Sequence, residues 1–188
     1  MKHVFSALIV FVTIVCQASA YAQADAGTVS FAAAREYVPD ALRREALEVP
    51  DNIAAPPMIL QMLETMIAHS ASFQRQCVRI AAERTLTVHV RYVPGRLAGG
   101  VRAVTRISRL PGGRLVAHVV LHPFDNYVEM IAHEFEHIIE QIDAVDLAEK
   151  ARRGHVGVHA NEGSVFETRR AWLTGRAVAG ELRRMGRL

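Results

Sequence analysis

At 188 residues, 51% of them hydrophobic, the chain has apolar material for one real core and is too short for two sizeable ones. Its formal charge is +3, with arginines scattered at Arg43, Arg44, Arg84, Arg91, Arg102, Arg106 and Arg109 and clustered only near Arg152 and Arg183. With aromatic residues at 6%, this argues against a nucleic-acid partner and reads as solvation or weak attraction to an anionic envelope.

Residues 1–24, MKHVFSALIVFVTIVCQASAYAQA, have a basic start at Lys2, an apolar run from Val4 to Val15, and A-x-A spacing through Ala18, Ala20, Ala22 and Ala24. This is the pattern of a secretory signal peptide cut near residues 20–24, so an exported, periplasmic or secreted protein is expected. A lipid anchor at Cys16 is disfavoured, because Thr13-Ile14-Val15 lacks the small residues that precede a lipidated cysteine. No later stretch is long and apolar enough to span a bilayer. Once the leader is removed, Cys77 is the only cysteine and no internal disulfide is possible. Its setting, CVRIAA, suggests a buried and inert thiol.

Residues 25–56 read as a loosely ordered lead-in, with a short helix beginning near Asp40 and then the prolines of VPDNIAAPP. The domain proper is expected over 57–188. From Pro57 a helical pattern places Ile59, Met62, Leu63, Met66 and Ile67 on one face, and a second helix or a continuation carries Phe73, Cys77 and Ile80. After Arg84 the periodicity changes. TLTVHVRYV, GVRAVTRIS and RLVAHVVLH are three valine-rich runs separated by turn residues, which predicts three antiparallel strands joined by hairpins. A long helix then starts near Asp125, with that side chain as its cap. RRGHVGVHANEG reads as a loop, and a last helix runs from about Ser164 to Arg184. Helices, a small sheet and two more helices make an α+β domain.

The long helix contains His133-Glu134-Phe135-Glu136-His137. At 100° per residue His133 and His137 stack one turn apart, so both imidazoles reach one ion, while Glu134 lies about 100° away. That offset suits a carboxylate that takes a proton from a zinc-bound water instead of binding the metal.

A His-Glu-x-x-His helix placed directly after a valine-rich strand and before a C-terminal helix resembles the zincin metallopeptidases, in particular small gluzincin-type domains. The resemblance covers Pro57 to the end. It implies a zincin-like fold, one Zn2+, His133 and His137 as ligands, Glu134 as the base and a peptide or protein substrate. In that arrangement the strand Val116–His122 borders the cleft and offers its edge to an extended peptide. Glu136 departs from the pattern, which favours an uncharged residue there; a solvent-side position at the helix edge is expected for it.

A third ligand is needed for a catalytic site with one open position. Asp143 stands where related families place it, but Glu140 replaces the glycine that would break the helix, so Asp143 lies about 15 Å along the axis from His133. Glu140 itself fits a supporting or surface role. Two distant glutamates remain. Glu162 in Asn161-Glu162-Gly163 resembles a gluzincin Asn-Glu pair, whereas Glu167 heads the stripe Glu167, Ala171, Thr174, Val178 and Leu182 of the last helix. Glu167 is the choice, although Ser164 and Glu167 also form a capping box that needs no metal. His155, His159, Tyr127 and Arg170 are candidates to bond an oxyanion. His69, His89, His118 and His122 have no partner spacing.

The reading is an exported zinc metallohydrolase, most simply a peptidase. The alternative is a catalytically inactive zincin-like protein that binds metal or a partner in the envelope. A di-iron carboxylate site is excluded by the lack of a second Glu-x-x-His.

Overall fold

In the computed structural model, residues 11–17, 48–95, 101–123, 126–161 and 165–188 are described. Among them are seven strands: β1 (Phe11–Gln17), β2 (Ile53–Ala54), β3 (Leu86–Tyr92), β4 (Val101–Arg109), β5 (Leu115–Leu121), β6 (Val158–Asn161) and β7 (Val165–Thr168). There are five helices: α1 (Pro57–His69), α2 (Ala71–Ala82), α3 (Tyr127–Ile142), α4 (Leu147–Arg152) and α5 (Arg169–Arg184). The fold is α+β, as expected. The proposed cleavage region, the short helix near Asp40, Asp125, Glu162 and Ser164 lie outside the described residues.

The three valine-rich runs are strands, but their pairing differs from the expected meander. A mixed sheet of four strands runs β4-β5-β3-β2, extended at the β4 edge by β1. β3 pairs with β5 in parallel, from Leu86↔Leu115 to Tyr92↔Leu121, and only β4 and β5 form the antiparallel hairpin. The reason is burial. β5 has the most apolar sequence of the three and is covered on most of its length, so it takes the middle, where both faces need apolar residues. Pro111-Gly112-Gly113 makes the tight β4–β5 turn with φ of 81° and 82° at its glycines. Being central, paired with β3 on one side and β4 on the other, β5 has no free edge, so the strand expected to border a cleft, Val116–His122, cannot take up a peptide by edge pairing.

The helical pattern after Pro57 divides into two. Ser70 has extended backbone (φ −131°, ψ 109°) and its side chain accepts a bond from the Phe73 N–H, capping α2. The stretch before Pro57 belongs to the fold as well: Ile53 and Ala54 pair with β3, and the Asn52 side chain donates to the carbonyls of Ile80 and Leu86 at 2.9 and 3.2 Å.

One core lies between the helices and one face of the sheet. Ile59, Leu63, Met66 and Ile67 of α1, Phe73, Cys77 and Ile80 of α2, and Val178, Ala179 and Leu182 of α5 meet Leu86, Val88, Val90, Ala103, Ile107, Ala117, Val119 and Leu121 there. α3 passes through the middle of it, buried without a break from Met130 to Glu140. Its cap is Asn126, whose carbonyl oxygen accepts from the Glu129 N–H while its amide donates to the Glu129 carboxylate.

The stretch read as a loop, residues 152–163, contains strand β6, which pairs with β7 just beyond it; together with α4, which ends where that stretch begins, the two strands are built around a small cluster of Leu147 and Phe166. The last helix begins at Arg169, not Ser164, and its cap is Thr168, whose Oγ1 accepts from the Ala171 N–H at 3.0 Å. Glu167 is therefore on a strand, one residue ahead of the cap.

Candidate metal centre

A helix buried on all sides is ordinarily apolar. α3 instead hides His133, Glu134, Glu136, His137 and Glu140, each no more than 5% exposed. A buried charge is costly unless it is paired or binds a metal, so each of these groups must be accounted for.

Glu136 and Glu140 are accounted for by protein partners. Glu136 accepts from Gln76 Nε2 at 2.8 Å and from Arg170 Nε at 2.5 Å, and Gln76 also donates to the Ala132 carbonyl. The solvent-side position expected for Glu136 is thus corrected: it is buried and ties α3 to α2 and α5. Glu140 accepts from His137 Nδ1 at 2.8 Å and from Thr168 Oγ1 at 2.8 Å. With Nδ1–H donated to Glu140, the neutral His137 ring carries its lone pair on Nε2. Asp143 closes the helix and bonds Arg79 and Arg170, far from any ligand role. Arg170 bonds Glu136 and Asp143.

The remaining groups converge. His137 Nε2 and His133 Nε2 are 3.1 Å apart, and His133 Nε2 is 3.2 Å from Glu167 Oε2. These separations match the edge of about 3.3 Å for a tetrahedron with bonds of about 2.05 Å. One donor atom from each of His133, His137 and Glu167 lies within 4.8 Å of the others, and all three residues are buried. The sequence thus named these three correctly as neighbours. It placed Glu167 on a helix, whereas the β6–β7 hairpin delivers it.

The set fits a cation on chemical grounds. Four of the six buried side-chain N and O atoms that lack a hydrogen-bond partner among the described residues are here: His133 Nδ1, Glu134 Oε1 and both oxygens of Glu167. Glu167 approaches His133 closely, yet neither carboxylate oxygen is aligned as a hydrogen-bond acceptor. Burial raises the pKa of Glu134 against the opposing pull of His133, His137 and the Thr105 bond. Burial lowers that of His137, but its bond to Glu140 and the carboxylates of Glu134, Glu140 and Glu167 outweigh this and raise it. Buried imidazole and carboxylate donors with four polar atoms left unpartnered are what a divalent cation can satisfy. His133, His137 and Glu167 can hold a metal ion.

Several residues of the site were missed from sequence. Thr105 of β4 donates to Glu134 Oε2 at 2.6 Å, which fixes the carboxylate and leaves Oε1 free. Thr168 fixes Glu140, and the Trp172 ring stands edge-on to His133 with centroids 5.4 Å apart. Only the Thr168 position, three before the helical Ala171, carried a cap signal that could have found it. Tyr127 stands edge-on to Tyr92, His155 is exposed and bonds the Val156 carbonyl, and His159 is exposed opposite Glu167 in the β6–β7 register.

No protein-family model matches the chain, and neither a curated protein nor a solved structure matches it.

Proposed function

We propose that the protein is an exported zinc-dependent metallohydrolase of the zincin type, acting on peptide bonds. The observation that carries this reading is the convergence of His133, His137 and Glu167 beside Glu134, a carboxylate with one oxygen anchored by Thr105 and the other unpartnered. Two neutral nitrogens and one carboxylate are the donor set of catalytic zinc, which leaves a coordination position open.

Zinc bound there would lower the pKa of water and polarise a substrate carbonyl. The chain's own residues do the rest. Glu140 holds the His137 ring so that its Nε2 lies beside His133 Nε2, where the two would hold the ion together, and Thr105 anchors Glu134. Glu134 Oε1 takes a proton from the attacking water and returns it to the leaving amine, a role favoured by the raised affinity for protons that burial gives it. An inactive zincin-like protein that only binds metal is the competing reading.

Elemental analysis and peptidase assays on three proteins separate the possibilities. Wild type and Glu134→Gln should each retain one zinc per chain and His133→Ala none, with circular dichroism confirming that all three fold. Turnover in Glu134→Gln should fall by roughly 10²–10⁴. Equal metal in wild type and His133→Ala overturns the metal centre. Metal loss in His133→Ala with no turnover in wild type leaves the metal-binding reading in place of the hydrolase.

A further inference from the structure

The arginines clustered near Arg183 in the sequence become one surface once α5 has formed. From Arg169 to Leu188 the chain holds six arginines and one acid, Glu181. At about 100° per residue, Leu173, Arg176, Ala177, Gly180, Arg183 and Arg184 share one arc of the helix, with the buried Val178 and Leu182 on the opposite side. All of the arc is exposed except Gly180, which is half-buried. Glu181 lies outside it and turns inward to Ser70 and Ser72. None of Arg176, Arg183, Arg184 and Arg187 has a carboxylate partner among the described residues.

The end of this helix is closed by a defined turn. Gly186 takes the left-handed conformation (φ 63°), its N–H donates to the Arg183 carbonyl at 3.0 Å, and the Arg187 N–H donates to the Leu182 carbonyl at 3.0 Å. These two bonds make a Schellman closure, which folds Arg187 back beside the last turn. An apolar residue commonly stands at that place and packs on the helix. Here it is an arginine, and its apolar neighbours Met185 and Leu188 are left 60% and 55% exposed. With Leu173 they are three of the six large apolar side chains exposed among the described residues. The negative end of a helix attracts cations, which accounts for Arg183 and Arg184. It does not account for Arg176, two turns earlier, or for apolar side chains left in water beside the charges.

We propose that this face of α5, with the turn that closes it, docks on an anionic lipid bilayer, its arginines at the headgroups and Met185 and Leu188 reaching past them toward the acyl chains. Arginines interleaved with exposed apolar side chains on one face of a helix are the composition of segments that lie in a membrane interface. An acidic protein surface answers the arginines alone. A bilayer answers both classes, with phosphate for the charge and hydrocarbon just beneath it for the apolar tips.

The opposite face of the same helix packs on α3 at Gly175, close to His133. The helix that meets the lipid is therefore the one seated on the helix of the candidate metal centre. The docking rests on the charge and exposure of α5 and holds whether or not that centre hydrolyses anything.

The test uses the protein as recovered after export and its co-sedimentation with vesicles of phosphatidylcholine alone and of phosphatidylcholine with phosphatidylglycerol in equal parts. Wild type should prefer the anionic vesicles, by a margin that shrinks as salt rises. Arg183→Gln combined with Arg187→Gln should weaken binding to them by about 25-fold, from about five-fold per charge near the surface. Arg183→Lys combined with Arg187→Lys should bind as wild type does, because the attraction is to charge, and circular dichroism confirms that each variant folds. Met185→Ser combined with Leu188→Ser should cost about five-fold and leave the salt dependence unchanged. Equal binding of wild type to both vesicles overturns the proposal. So does an anionic preference that the glutamine pair leaves intact, which would place the contact on basic residues elsewhere. Retention of wild type by immobilised polyglutamate, with no preference among vesicles, overturns it too and makes the partner an acidic protein.

Discussion

Glu136 and Glu134 are two residues apart on one buried helix, and the protein treats them in opposite ways. Both oxygens of Glu136 are bonded, to Gln76 and Arg170, as are both oxygens of Glu140, to His137 and Thr168. Glu134 keeps one oxygen free, and Glu167 keeps two. A buried carboxylate left unpaired lowers stability, so a fold that can satisfy two of them and leaves two others open is holding room for something else. The contrast shows that count or spacing of acids on α3 is a weaker guide to the site than the question of which of their oxygens are already used.

The sharpest way to break this division is to compare Glu140→Gln with Glu136→Gln. Glu140 acts on the metal side by holding His137 Nδ1, and its loss should weaken zinc binding by about 10–100-fold. Glu136 holds helices together on the far side. Its loss should lower stability by about 1–3 kcal/mol and leave zinc affinity unchanged, since half-exposed Arg170 can return to water. Competition with a chromophoric chelator and urea titration measure the two effects. Zinc affinity lost equally in both variants would show that the helix responds as one unit.

Gly175→Ala sharpens the boundary from the α5 side. A Cβ at Gly175 would stand 2.7 Å from the Glu129 carbonyl oxygen and 3.3 Å from His133 Cβ, so α5 must move off α3 at the level of the first ligand. Overpacking of this kind costs about 1–3 kcal/mol, or about 2–4 °C in Tm per kcal/mol for a chain of this size. Unlike Glu136→Gln, it should weaken zinc binding as well, because the shift carries Trp172 away from His133. A variant with wild-type zinc affinity would place the ligand geometry in α3 and β7 alone.

What could be read in advance follows from the range of the interactions. His133 and His137 are one helical turn apart, so local geometry settles their alignment, and the unbroken helix past Glu140 settles the exclusion of Asp143. The existence of β3, β4 and β5 was equally local. Their order was not, because adjacency of β5 and β3 is decided by which strand can be buried on both faces, and the sequence-adjacent hairpin is only the commonest alternative. Glu167 was found through its place near the head of α5, although Thr168 turns out to be the cap and the strand β7 the carrier. Thr105 and Gln76 had no sequence signal: each touches α3 from 29 or more residues away, through contacts that exist only once the sheet and α2 are packed.

The smallest expected effect tests the paired class at the molecular edge. Glu181 of α5 accepts from Ser70 Oγ at 2.6 Å, from the Ser72 N–H at 3.1 Å and from Ser72 Oγ at 2.7 Å. Burial pushes its pKa up, but these three donors and the nearby Arg75 outweigh burial and hold it below the usual carboxylate range. A group whose pKa is lowered by folding stabilises the native state above its unfolded pKa, and that contribution disappears as pH falls through the lowered folded value. The stability gap between wild type and Glu181→Gln should therefore be flat at neutral pH, about 1 kcal/mol for a half-exposed group. It should then close in acid, once the carboxylate is protonated in both states. Denaturant titrations at a series of pH values read this directly. A gap that persists unchanged into acid would mean that Ser70 and Ser72 hold the neutral acid as well as the anion. In that case full hydrogen bonding, with no net preference for the charge, would be what sets Glu136, Glu140 and Glu181 apart from Glu134.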